Sequence, residues 1–138
     1  METVTLTRTI PATEDAVREA MLDLEPFTRA AGFDHVEVDG RTIHVANSVG
    51  IANIELELEL VDDPDADLAY EQREGIFESM RTTFTITPVD DGVDVTATTE
   101  FALDVALVGE FLDATVIKRQ RTKELQAQFE YLEDVAGT

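Results

Sequence analysis

Cysteine is missing from the 138 residues, which excludes disulfides, thiolate catalysis and cysteine-ligated metal. Also missing is any apolar run near the ~20 residues that a membrane-spanning helix needs. The first ten residues, METVTLTRTI, alternate like a strand and carry no signal-peptide apolar segment, so a cytoplasmic location is expected. Basic residues are scarce. Ten Lys and Arg face thirty Asp and Glu, and the only lysines are Lys118 and Lys123. The resulting net charge of -20 repels nucleic acid and anionic membranes. There is no Gly-rich phosphate loop, nucleophile elbow or HExxH pair. Ser48 and Ser79 are the only serines, and strand parity brings neither to His35 or His44 for a hydrolytic triad.

What is present is a chain that can bury a core. Hydrophobic residues make up 43% of it, which argues against disorder despite the charge. Its length suits a single domain, residues 1–138, able to bury roughly 68% of its unfolded surface. The segment IANIELELEL at 51–60 sets Ile54, Leu56, Leu58 and Leu60 on one parity and Glu55, Glu57 and Glu59 on the other. A period of two makes a strand with one apolar and one carboxylate face, although Leu and Glu favour helix. Such a ladder of like charges is tolerable where concentrated salt screens it. The acidic composition therefore reads as adaptation to a salty cytoplasm rather than as a surface for cationic partners.

Further strands are expected at 2–10, 67–74, 76–88 and 92–104, with a hairpin over 33–47 turning at Asp39-Gly40. In that hairpin Val38 is expected opposite Arg41 and His35 opposite His44. After Pro11, Thr13 caps a short helix that buries Val17, Ala20, Met21 and Leu24. Pro26 forces a restart, and a second short helix ends near Gly32. From Val105 to Val135 there is no proline, and a helical stripe gathers Leu107, Val108, Phe111, Ala114, Thr115, Lys118, Thr122, Leu125, Phe129 and Leu132. The expected fold is α+β: a seven-stranded, curved antiparallel sheet with two short helices after strand one, gripping a long C-terminal helix. Sheet and helix do not close fully along their length, which leaves an apolar hollow.

Several segments are similar to the SRPBCC superfamily, which includes START domains, Bet v 1-like proteins and polyketide cyclase/dehydrase-like proteins. They are TRTIPATEDAVREAMLD at 7–23, REG at 73–75, ITPVDDGVDVTATTEF at 86–101 and VGEFLDATVIKRQ at 108–120. The combination and spacing carry the resemblance, since none is a catalytic motif. Arg18 stands where family members often have an aromatic residue. The acidic composition resembles haloarchaeal members. The resemblance implies a helix-grip scaffold that takes a small hydrophobic or amphipathic molecule between sheet and helix. It does not imply a particular ligand, because the superfamily also hosts cyclases.

The expected ligand-facing set is Leu56, Leu58, Tyr70, Gln72, Glu78, Met80, Phe84, Val95, Ala97, Phe111, Thr115, Lys118 and Thr122. Lys118 sits mid-stripe, where its ammonium either meets a bound oxyanion or snorkels while its stem covers apolar surface. In an enzymatic alternative of cyclase, dehydrase or hydrolase type, Glu78 or Glu74 serves as base and Lys118 as electrophilic partner. Glu78 turns to solvent instead if Gly75 carries a bulge, and Arg8 is a structural partner for it. His35, His44 and Glu37 form a weak metal pattern, and Asp63-Pro64-Asp65-Ala66-Asp67 only mimics a calcium loop, with Leu68 at the place of its glycine. No metal or cofactor is expected. The run KRQRTK at 118–123 reads as exposed ion pairing, Arg121 included. Oligomeric state is open.

Overall fold

A computed structural model of the chain describes residues 1–49, 51–103 and 113–137. The elements run β1 (Glu2–Ile10), α1 (Glu14–Leu22), α2 (Leu24–Arg29), β2 (His35–Asp39), β3 (Thr42–Val49), β4 (Ala52–Leu60), β5 (Leu68–Glu74), β6 (Phe77–Val89), β7 (Gly92–Leu103) and α3 (Ala114–Ala136). The strands form one antiparallel sheet in the order β1-β7-β6-β5-β4-β3-β2. The two short helices and α3 complete the helix-grip arrangement expected from the sequence. The first part of the anticipated helix, with Leu107, Val108 and Phe111, lies outside the described residues.

Local chemistry sets the element ends. Thr13 caps α1 by accepting from the Ala16 amide at 3.1 Å, and Asp113 caps α3 by accepting from the Val116 amide at 2.9 Å. Pro26 sits within the first turn of α2, where its missing N–H leaves no helical bond unmade. Arg18 fastens α1 to the sheet: its Nη2 donates to Asp67 at 2.7 Å, and Asp67 also accepts from the Ile86 amide at 2.7 Å. The bond to Asp67, then the one to Glu14, holds the Arg18 pKa above its ordinary value.

The β2–β3 hairpin turns one residue later than anticipated. Asp39 pairs with Thr42, Val38 with Ile43 and Val36 with Val45, so Gly40 and Arg41 form the loop. Gly40 takes φ +62° at the first loop position, as a type II′ turn requires. This register sets the four inward apolar residues opposite one another. His44 consequently faces Glu37, and His35 faces Ala46 rather than His44.

The core lies between the concave sheet face and the helices. Phe27 meets Phe84 edge-on at 5.1 Å, and Phe77 lies 5.3 Å from Phe101. Leu125, Phe129 and Leu132 of α3 are buried, as is Leu58 of β4. Leu56 and Leu60 are partly buried against the same core.

The buried face of α3 differs from the expected stripe. It comprises Ile117, Arg121, Glu124, Leu125, Gln128, Phe129 and Leu132. At 100° per residue the helix is turned by roughly 60° from the orientation that counting apolar side chains predicts. Three polar side chains therefore enter the interior, and Thr115 is exposed.

Candidate ligand-binding site

Arg121 and Glu124 sit one turn apart on α3, which puts both on one face. Each is more than nine-tenths buried, at 7% and 4% exposure. Arg121 Nη1 donates to Glu124 Oε1, and Nη2 donates to Thr82 Oγ1 at 3.1 Å. Thr82 in turn shares a 2.8 Å hydrogen bond with Thr99 across β6–β7. Gln120 Nε2 donates to the second Glu124 oxygen at 3.0 Å. Burial alone would lower the Arg121 pKa, but Tyr70 and Glu124 beside it outweigh that, and the net shift is upward. The guanidinium is therefore a permanent cation. Its Nε is buried without a hydrogen-bond partner.

Above this pair runs a narrow cleft. Asn47 of β3, Ile54 and Leu56 of β4, and Ile76 with Phe77 at the start of β6 form one wall; Ile117, Gln120, Arg121 and Glu124 of α3 form the other. The space is small, about 30 Å³, room for roughly two waters. Larger depressions exist, about 420 Å³ beside Leu22, Asp62 and Asp67 and about 410 Å³ beside His44, Glu57 and Glu74. Both are surface grooves edged by carboxylates. The smaller cleft is the one floored by the buried ion pair.

The mouth of the cleft depends on one tight turn. Gly75 has φ +154°, and Gln72 clamps the turn by donating to the Phe77 carbonyl at 2.9 Å and accepting from its amide at 3.1 Å. A Cβ at Gly75 would collide with Gln72 Oε1 and Leu56 Cδ2. Gly75→Ala is expected to lower stability by about 1–3 kcal/mol in urea unfolding, because the backbone conformation and the space both oppose it. An unchanged midpoint would show that the turn relaxes freely.

The anticipated site residues divide into three groups. Leu56 lines the cleft, and Tyr70 stands beside Arg121. Met80 receives a 3.4 Å contact from Thr82 Oγ1, while Leu58, Phe84, Val95 and Ala97 are buried in the core. The third group does not enter the interior. Glu78 is exposed because the β6–β7 register shifts between Phe77 and Ser79, which turns it outward. Lys118 is half-exposed and lies 3.6 Å from Glu2. Thr122 turns its hydroxyl back to the Lys118 carbonyl at 2.8 Å. Gln72 is occupied by the turn, and Thr115 is exposed. Phe111 belongs to none of these groups, because it lies outside the described residues.

Other candidates resolve into structural roles. Arg8 pairs with Glu133 at 2.8 Å rather than with Glu78. Asp63 accepts from the Asp65 amide and from Arg81, which hold its pKa below the ordinary carboxylate value. Among the described residues no group of three or more His, Asp or Glu is placed to hold a metal ion. Arg121 is buried, contrary to the reading of KRQRTK as surface pairing. Its partner Glu124, three residues on, was the available clue. At that spacing the two side chains share a helix face, where mutual neutralisation lowers the cost of burying them.

A family model described as polyketide cyclase / dehydrase and lipid transport matches residues 1–137. The chain belongs to this family. Solved structures share the fold across nearly the whole chain. TTHA0849 from Thermus thermophilus is 19% identical, with TM-score 0.78 over 96% of this chain and 95% of its own. The Zhui aromatase/cyclase from Streptomyces sp. R1128 is 20% identical, with TM-score 0.74 over 96% and 93%. A START superfamily protein from Mycobacterium smegmatis is 12% identical, with TM-score 0.73 over 96% and 94%. Among curated proteins none matches the sequence. In this chain the scaffold carries the buried Arg121–Glu124 pair under the cleft. Among the described residues no helix is long and apolar enough to cross a membrane.

Proposed function

We propose that the chain binds a small hydrophobic or amphipathic molecule between the sheet and α3, with its apolar body against Leu56, Ile76 and Ile117. The observation that carries this reading is a buried, hydrogen-bonding floor beneath an apolar cleft. A filled structural core gains little from a charged pair there, since apolar side chains of similar size serve stability as well or better. Membership of a family described by cyclase, dehydrase and lipid-transport members supports the same reading. The space of about 30 Å³ means that a ligand must displace the partly exposed rim side chains Leu56 and Ile76 as it enters.

The enzymatic alternative built on Glu78 and Lys118 has less support. One is exposed on a bulge, and the other is held at the surface beside Glu2. Acid and base must reach the same reacting atoms.

Titration with Nile red, an uncharged lipophilic dye, tests binding. Saturable one-to-one binding is expected at high salt, and Ile117→Trp, which fills the cleft, should weaken it at least about tenfold. Absence of saturable binding by the folded chain at any salt concentration overturns the reading.

A further inference from the structure

The polar floor also bears on which ligands are accepted. This inference rests on the binding reading above and extends it to the chemical class of the ligand's polar end. Both oxygens of Glu124 already receive donors, one from Arg121 and one from Gln120. Arg121 Nη1 is committed to Glu124 and Nη2 to Thr82. Tyr70 also stands against the guanidinium. The remaining guanidinium nitrogen, Nε, is buried without a hydrogen-bond partner beneath the apolar lining of the cleft, so an oxygen reaches it only as an entering ligand displaces Leu56 and Ile76. A buried donor without an acceptor is costly, and an arriving oxygen relieves that cost.

The charge state of the floor decides which oxygen. Arg121 and Glu124 together are neutral. A carboxylate would place a second negative charge beside Glu124 in a dry site, on a chain of net charge -20. Its attraction to Arg121 is largely offset by the carboxylate already there. An ammonium would meet the guanidinium, and the Glu124 oxygens it needs are both engaged. A ketone, amide or ether oxygen accepts from Nε and adds no charge. We infer that the Arg121–Glu124 pair makes the site selective for amphiphiles whose polar group is an uncharged oxygen acceptor, and that it rejects carboxylates and ammonium ions.

Competition against Nile red at pH 8 and high salt tests this with four ten-carbon probes: 2-decanone, 1-decene, decanoate and decylammonium. The unaltered chain should bind 2-decanone at least about tenfold more tightly than each of the others. Comparison with 1-decene isolates the acceptor, since any apolar site disfavours ions. In the double variant Arg121→Met/Glu124→Leu that preference should be lost, with 1-decene binding at least as tightly as 2-decanone, because the ketone oxygen then desolvates without a donor. Decanoate binding as tightly as 2-decanone overturns the inference. So does a ketone preference over 1-decene that is absent from the unaltered chain or that survives in the double variant. The comparison in the unaltered chain needs no variant to fold. Failure of Nile red itself to bind is a different result, and it overturns the binding reading together with the selectivity.

Discussion

Glu124→Leu should lower the unfolding free energy by about 3–5 kcal/mol, while adding Arg121→Met to it should restore most of that loss. The single substitution leaves a guanidinium buried with its counter-charge gone. What remains around it is Thr82, a neutral hydroxyl, and Tyr70. Removing an ionic partner from a buried site is costly because the residual charge cannot reach water. Removing both partners exchanges the pair for apolar side chains of similar length in a place already lined by Leu56, Ile76 and Ile117. Thr82 then keeps its bond to Thr99, and only the Tyr70 hydroxyl loses a neighbour in Arg121. Urea unfolding followed by circular dichroism at constant salt measures both variants. A single-variant loss below about 1 kcal/mol would mean that Arg121 escapes to solvent when unpaired. A double variant less stable than Glu124→Leu alone would mean that the pair is itself a net stabiliser.

That pair also marks the limit of what the sequence reveals. Element order and the grip arrangement followed from local pattern. The Ile54 to Leu60 alternation, the turn residues and the change to helical spacing beyond Val105 each have a direct physical meaning. The orientation of α3 did not follow, because an apolar count favours the face carrying the most carbon. The true face interleaves Ile117, Leu125, Phe129 and Leu132 with Arg121, Glu124 and Gln128. Those polar residues are tolerable inside only through partners that the sequence does not place: Thr82 on β6, Tyr70 on β5, and the Phe27 carbonyl that accepts from Gln128 at 3.1 Å. The orientation of Glu78, which the sequence leaves open between inward and outward, has a related cause. A single extra residue at the start of β6 inverts parity, and only the β7 partner strand reveals it. The hairpin register likewise depended on bringing Val45 opposite Val36, a gain that turn chemistry alone does not specify.

The opposite face of the sheet predicts a strong response to salt. Glu57 pairs directly with Glu74, and Glu59 directly with Glu71, across β4–β5. Like charges facing each other in a ladder destabilise it. Arg73 answers Glu59 at 3.1 Å, Arg81 answers Glu71, and His44 lies 3.5 Å from Glu57, so the compensation is partial and exposed. Two unit charges ~5 Å apart in water repel by about 0.8 kcal/mol. The Debye length falls from about 30 Å at 0.01 M salt to about 3 Å at 1 M, which removes most of that repulsion and nearly all of its longer-range counterpart. Summed over a chain of net charge -20, raising KCl from about 0.01 to 1 M should stabilise the fold by about 2–4 kcal/mol, roughly 10 °C in melting temperature. Glu57→Gln/Glu59→Gln should reduce that slope and raise stability at low salt, because it removes one carboxylate from each facing pair. A melting temperature that moves by less than about 2 °C across the range would show that the arginines already neutralise the ladder. The acidic face would then need an explanation other than screening.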